Sequence, residues 1–429
     1  MALKFNMGHM GLDVRDKKSM TPSTYGGRLL AQGTYGCVFT PEIPCQNPGA
    51  NIRSSVSSTK NPKRGSHYVT KVFDDINEQQ HEWDMSRWIA SIDPDQKYFI
   101  YPKDKCMVSR KDIIKSQNYT ATSSSARSFS EKRSSSNNDY CDILLYSRKD
   151  AFPSLQTDFG GLALHHWLAK YKGRVTLPMI LQLLLPCLEG VRLINRKGIV
   201  HQDIKPNNII IAEDGRAHII DFSLTTAVTH FFDPNYNMLL YSQYWLLPPE
   251  YRIRRWLKNH QTLTEIDLDK IITDELEALN FRFNSMKDSE RMSVIYQHIW
   301  PSHCEREKNL RKLVAKVTAA PHRNATHVSP AVLLNRPVSA DVSAMKRYVN
   351  RVDTYSLGLL MMWASQYTDS FSLDKFLHPD LKTKYPMWHK FIRLIRAMTH
   401  QNPASRASAT VAIRMVKDIL RDHAQSQKN

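Results

Sequence analysis

The segment from Ile199 to Phe222, IVHQDIKPNNIIIAEDGRAHIIDF, constrains this chain more than any other. Ile199-Val200 is a short apolar run that ends in polar residues. Ile209-Ile210-Ile211 and His218-Ile219-Ile220 are rich in β-branched residues. Asp214-Gly215 stands between them, a dipeptide suited to a tight hairpin turn. A hairpin here puts Asp203, Lys205 and Asn208 on the loop that leads into it and Asp221 immediately after it. The chain folds back, so Asp221 is expected near Asn208.

That arrangement suits phosphoryl transfer, which needs positioning and charge neutralisation more than covalent chemistry. Asn208 and Asp221 are oxygen donors able to hold hard magnesium ions against phosphate oxygens. Asp203 can accept the proton of an attacking hydroxyl, and Lys205 can neutralise charge on the moving group. His201-Gln202-Asp203-Ile204-Lys205-Pro206-Asn207-Asn208 resembles the catalytic loop of eukaryotic-type protein kinases. Asp221-Phe222-Ser223 resembles their magnesium-binding DFG motif. The resemblance implies ATP and Mg2+ as cofactors and a protein hydroxyl as acceptor. Lys205, two positions after Asp203, fits the serine/threonine class rather than the tyrosine class of this family.

Other stretches fall into the same order. Ala31-Gln32-Gly33-Thr34-Tyr35-Gly36-Cys37-Val38 resembles the glycine-rich loop over ATP, with Ala31 in place of the first glycine. Gly33 and Gly36 would let backbone amides approach phosphate. Tyr68-Val69-Thr70-Lys71 fits the strand bearing the phosphate-contacting lysine, with Val38 and Val69 toward the nucleotide. The helix predicted over 77–92 must supply a glutamate to Lys71. Met85, Ile89 and Ile92 mark its buried stripe, with Trp88 beside it; Glu78 and Glu82 both lie on that face, and Glu82 is preferred. Leu155-Gln156-Thr157-Asp158-Phe159-Gly160-Gly161 resembles the hinge strand. There Thr157 would guard the back pocket, and the backbone around Asp158 and Phe159 would meet adenine.

Pro248-Pro249-Glu250 resembles the end of the activation segment. Arg351 to Gly358 resembles the start of a central helix whose Asp353 binds the backbone of the catalytic loop. Asn402-Pro403-Ala404-Ser405-Arg406 resembles the late motif whose arginine pairs with Glu250. Within the family, QGTYGCVF, the Gly-Gly after the hinge, PPEY and DTYSLG are similar to kinases of large cytoplasmic DNA viruses. The implied fold is α+β and bilobal: an N-terminal extension over 1–24, a β-rich N-lobe over 25–157, a helical C-lobe over 158–420 and a short tail. Besides Ala31, three positions depart from the family pattern: Gln202 stands for the arginine before Asp203, Ser223 for the glycine after Phe222, and Gln243 for a threonine. None removes Lys71, Asp203, Asn208 or Asp221. A family member with a decayed site, serving as a scaffold, normally lacks one of these four. Gln202 carries no charge to hold a phosphate, so activity is expected without phosphorylation of 223–247.

At 429 residues the chain exceeds a single compact core, and 41% apolar residues suffice for two lobes. Two insertions are expected to be loops. Residues 42–66 are rich in Pro, Gly and polar side chains; 111–139 are dominated by Ser, Asn and charge and read as disordered. Glu250 and Asp353 stand 103 positions apart, and 251–350 carries helical stripes and aromatics that include Trp256, Phe281, Phe283, Tyr296 and Trp300. It is expected to be a helical subdomain, with Arg252, Arg254, Arg255, Arg311 and Lys312 able to dock an acidic partner. The six cysteines are scattered without a CxxC pair, so free thiols in a reducing compartment are expected. No run of about 18 apolar residues marks a membrane span. Residues 1–18 lack a secretory apolar stretch, which fits a cytoplasmic, non-secreted protein. The net charge of +18 stands without any nucleic-acid motif and assigns no nucleic-acid partner. A small-molecule phosphotransferase would share Asp203, Asn208 and Asp221, but would not be expected to keep Lys205 with Glu250, Asp353 and Arg406.

Overall fold

Short strands build a sheet early in the chain, and long helices with apolar stripes dominate late in it. The structure is a computed structural model, and it describes residues 28–33, 36–46, 68–116, 141, 143–228, 248 and 349–427. The described residues divide into two compact units. The first takes those up to Gly161 together with Ala212–Gly215 and Ile220–Ser223. The second takes Leu162–Ile211, Arg216–Ile219 and those from Leu224 onward.

The first unit is a five-stranded antiparallel sheet made of β1 (Arg28–Gly33), β2 (Gly36–Thr40), β3 (Tyr68–Val72), β4 (Asp104–Ser109) and β5 (Ala151–Asp158), in the order β1-β2-β3-β5-β4. Helix α1 (Ile76–Ile92) follows β3. Its N-cap Asp75 accepts the Asn77 amide at 2.9 Å, satisfying one of the orphan donors of the first turn. The stripe that α1 buries is not the apolar one expected: it is Gln79, Glu82, Ser86 and Ile89, while Met85, Trp88 and Ile92 are half-buried. The polar members have partners. Gln79 donates to the carbonyls of Ser154 (2.7 Å) and Cys106 (3.2 Å), and the Ser86 hydroxyl to that of Glu82 (2.6 Å). A short helix α2 (Arg110–Ser116) follows β4 and buries Ile113, so 110–116 is not part of a disordered insertion. Its Arg110 donates to the carbonyls of Leu144 (2.6 Å) and Ser147 (2.5 Å), beside helix α3 (Ile143–Tyr146).

The start of the first insertion is also ordered. Residues 41–46 cross the sheet as a strap. Ile43 N–H donates to Thr70 Oγ1 (2.9 Å), and Gln156 Nε2 donates to the Ile43 carbonyl (3.1 Å). Cys45 bridges Val108, and Gln46 N–H donates to the Met107 carbonyl (2.8 Å). The cysteines here are not free: Cys37 is bonded to Cys141 and Cys45 to Cys106. Partners 104 and 61 positions apart leave no local spacing to read, whereas the fold brings all four sulfurs into one apolar cluster with Phe39, Ile43, Val72, Val108 and Phe152. Cys187 is free and buried, as packing requires.

In the second unit, β6 (Leu162–Ala163) leads into α4 (Leu164–Lys170), then α5 (Leu177–Arg196). The Thr176 hydroxyl caps α5. By length and composition α5 could cross a membrane; 61% of that window is buried inside the structure, as in a core helix. It packs against β7 (Ile199–Val200), β9 (Ala217–Ile219), α6 (Val352–Ser365) and α10 (Ala409–Ser426). The hairpin read from the sequence is present: β8 (Ile209–Ile211) pairs with β9 in the register Ile209↔Ile219. At its turn Gly215 takes φ 79°, the left-handed region a side chain disfavours. β10 (Thr226–Ala227) pairs with β7. A 3₁₀ turn (Pro206–Asn208) before β8 and helices α7 (Leu373–Phe376), α8 (Leu381–Lys384) and α9 (Pro386–Met398) complete the described elements. α6 meets α9 so closely that a Cβ on Gly358 would lie 2.8 Å from Met398 Cβ. The expected N-terminal extension, residues 47–66 and 117–139 of the insertions, Glu250, and the docking arginines and lysine of 251–350 lie outside the described residues.

Candidate active site

In the first unit the register of β3 fixes Lys71. Val38 on β2 and Leu155 on β5 are its cross-strand neighbours. Its Nζ lies 2.7 Å from Glu82 Oε2 and 2.8 Å from Asp221 Oδ1. Of the two glutamates left open by the helical pattern, Glu82 is the partner, with a side chain 4% exposed. Burial alone would lower the Lys71 ammonium, but the carboxylates of Asp221 and Glu82 outweigh it and raise it above the usual lysine range. Burial pushes the Glu82 carboxyl up to about 7 against the pull of Lys71, and the Asp221 charge adds to the rise. With two carboxylates on one ammonium, the Lys71 cation is the fixed charge of the cluster.

Asp221 holds a φ of 68°, a conformation that costs a non-glycine residue on the order of 1–3 kcal/mol. Its Oδ1 also accepts the Ser223 N–H at 3.3 Å. Phe222 is fully buried, its ring 6.0 Å from that of Phe99. Gly36 opens β2 because nothing larger fits: a Cβ there would lie 2.3 Å from the Val72 carbonyl oxygen. It pairs with Gly33 at the end of β1, and Ala31 pairs with Val38. Val69 pairs with Thr157. Asp158 makes an ion pair with Lys103, and Phe159 is 41% exposed.

In the second unit the loop between β7 and β8 is hung from one buried carboxylate. Asp353 on α6 accepts the N–H groups of His201 and Gln202, each at 2.8 Å. Burial pushes its carboxyl up to about 6, and those two backbone donors oppose the rise. The expected role of Asp353 is therefore observed. Beyond it, Asp203 Oδ2 meets Lys205 Nζ at 2.7 Å and Asn208 Nδ2 at 2.8 Å, and Asn208 Nδ2 also donates to the Asp203 carbonyl at 3.0 Å. The Asn208 amide nitrogen is thus committed to Asp203, and its oxygen is the end suited to a hard cation. The donor chemistry of Asn208 and Asp221 fits magnesium, although the two residues belong to different units.

Two features of this loop gave no sequence signal. Gln202 takes φ 69°, and its side-chain amide donates to the Leu224 carbonyl at 2.6 Å. His201 Nδ1 accepts the Asp203 N–H at 3.2 Å. Arg406 is buried and donates from Nε to the His400 carbonyl at 2.9 Å, with its guanidinium over the Tyr355 ring.

The family model for the protein kinase domain matches residues 149–268, a stretch that contains Asp203, Lys205, Asn208 and Asp221 and excludes Lys71 and Glu82. The serine/threonine-protein kinase PknL of Mycobacterium tuberculosis is 34% identical over 73 residues, 17% of this chain and 18% of PknL. The serine/threonine-protein kinase SSN3 of Candida glabrata is 24% identical over 230 residues, 52% of this chain and 39% of SSN3. Mitogen-activated protein kinase kinase kinase 17 of Arabidopsis thaliana is 38% identical over 65 residues, 15% of this chain and 18% of that kinase. The chain thus spans less than a fifth of the length of PknL and about two fifths of SSN3. Together the matches support a protein kinase of the eukaryotic serine/threonine type.

Proposed function

We propose that this chain is an ATP-dependent serine/threonine protein kinase that moves the γ-phosphoryl group of ATP onto protein hydroxyls. The observation that carries this reading is the Lys71 ammonium held 2.7 Å from Glu82 and 2.8 Å from Asp221, since kinase chemistry depends on a strand lysine paired with a helix glutamate. Magnesium-bound ATP supplies the phosphoryl group and the charge neutralisation. Lys71 binds the α- and β-phosphates, and Glu82 keeps it in place. Asp221 and Asn208 each offer an oxygen to magnesium.

Asp203 orients the acceptor hydroxyl and takes its proton as the hydroxyl oxygen bonds to the γ-phosphorus and the bond to the departing ADP breaks. Lys205, 2.7 Å from Asp203, offsets the charge on the transferred group. Asp353 holds the backbone of this loop in place, so the proton acceptor is set before substrate arrives. Gln202 carries no charge to hold a phosphate and spends its side-chain amide on the Leu224 carbonyl, which supports activity without a phosphate on the following segment.

The test is incubation with ATP, magnesium and a peptide library, with products mapped by mass spectrometry. Phosphoserine or phosphothreonine in the peptides, absent with Asp203→Asn, is the expected result. Nucleotide binding without any transfer would overturn the assignment.

A further inference from the structure

We infer that Cys37–Cys141 and Cys45–Cys106 act as a redox lock on the first unit: closed, they fix β2 and the strap behind it; opened, they loosen that strand and weaken nucleotide binding. The nucleotide part rests on the reading of Lys71 given above.

The lock follows from where the four cysteines sit. Cys37 is the residue after Gly36 and pairs in register with Gln32 on β1 and Val72 on β3. It is therefore the first cross-linked position behind the Gly33–Gly36 pair and one strand away from Lys71. Its partner Cys141 lies just before α3, and its carbonyl accepts the Leu144 N–H at 3.1 Å. Cys45 closes the other end of the same strand's continuation. The strap leaves β2 at Thr40, crosses β3 at Thr70 and β5 at Gln156, and is stapled to β4 through Cys106. Apart from the sulfurs, its anchorage is the Ile43 and Gln46 N–H groups donating to Thr70 Oγ1 and the Met107 carbonyl, the Gln156 amide donating to the Ile43 carbonyl, and one buried side chain, Ile43. Such an anchorage depends on its cross-link more than a fully packed strand would.

The two bonds differ in access. Cys37 and Cys141 are each 1% exposed, whereas Cys106 is 7% exposed and Cys45 half-buried. A small dithiol therefore reaches Cys45–Cys106 first. Cys187 does not compete as a thiolate, because burial pushes its thiol up to about 12. Each lock closes when two thiols give two electrons and two protons to a disulfide oxidant such as glutathione disulfide, which leaves as two thiols. A dithiol reverses the step and is itself oxidised to a disulfide.

The experiment uses the full chain purified without reductant. Alkylation followed by non-reducing peptide mapping should give the cross-linked pairs 37–141 and 45–106, with Cys187 alkylated after unfolding. Titration with dithiothreitol should open Cys45–Cys106 before Cys37–Cys141 and lower Tm on the order of 10 °C in total. Magnesium-ATP affinity should fall on the order of tenfold, the cost of ordering a loosened strand at each binding event. Cys45→Ser, a milder change at the more exposed site, should reproduce the first step and remove its dithiol dependence.

Absence of the cross-linked peptides overturns the inference. So does full reduction that leaves both Tm and nucleotide affinity unchanged. A reduction-dependent Tm without nucleotide binding in either state upholds the lock and overturns the nucleotide reading instead.

Discussion

Lys71 and Glu82 come from a strand and a helix, 11 positions apart, and meet Asp221, a further 150 positions from Lys71, within the first unit. Asp203, Lys205 and Asn208 lie within six consecutive positions of the second unit and hold one another directly. The first cluster is set by sheet register and a partly polar helix face. The second is set by a short loop whose backbone hangs from Asp353, 151 positions away from Gln202. The first way of building a site distributes the constraint over many weak contacts; the second concentrates it in one buried carboxylate.

The two constructions predict different responses to single changes. Asp203→Asn strikes the concentrated site at its reacting group. Phosphoryl transfer is expected to fall by roughly 10²–10⁴ while nucleotide affinity stays within about twofold; equal losses of both would show that the clusters do not divide the work. Asp353→Ala removes the anchor and leaves two buried N–H donors without an acceptor. The expected loss is about 2–4 kcal/mol of stability, with hydrogen-exchange protection lost over 199–208 and retained in β3 and β5.

The same anchor gives a pH dependence. The Asp353 carboxyl titrates near 6 in the fold against an ordinary 3.8, so its raised pKa stabilises the fold fully below about 3.8, and that contribution is lost as pH rises through 6. The stability of Asp353→Asn relative to the parent should therefore improve by up to ~3 kcal/mol between pH 3.5 and 7, and a flat difference would refute the shift. Glu82→Gln, in the distributed cluster, leaves Lys71 its second carboxylate. Transfer should drop by roughly 10–100-fold with a raised KM for ATP, less than at Asp203. Smallest is Gln202→Ala, which removes one hydrogen bond worth about 0.5–1.5 kcal/mol. It should cost a few-fold in rate, and phosphatase treatment of the parent should change its activity by less than about twofold. Complete dependence on phosphate would contradict the Gln202 contact as the holding device.

The legibility of the two regions in the sequence follows the same division. The loop and hairpin from Asp203 to Asp221 could be read because turn chemistry and short spacing are local, and the structure keeps them to within one residue at the second strand. Asp353 could be placed only through its resemblance to a known motif. In the first unit Glu82 was correctly preferred over Glu78, but the stripe behind that choice is Gln79, Glu82, Ser86 and Ile89 rather than an apolar row, because buried amides and hydroxyls can be satisfied by strand carbonyls. The disulfides have no trace in the sequence because pairing over 61 and 104 positions leaves no spacing pattern. The strap looks like loop in the sequence because its residues are held mainly through their backbone, and composition does not report on backbone bonds. The positive φ of Gln202 has no signature in its side chain, and an aspartate such as Asp221 is only mildly favoured there.

The first unit also counts Ile220–Ser223 among its members, and this sets a timetable for synthesis. A ribosome makes Lys71 150 positions before the Asp221 that becomes its second counter-charge. At about 5–20 residues per second, the nascent sheet waits roughly 10–30 s with that ammonium facing Glu82 alone. The first unit therefore cannot complete that cluster until translation has just passed the midpoint of the chain, and a nascent chain stalled between the hinge and the hairpin would present an electrostatically incomplete intermediate to chaperones.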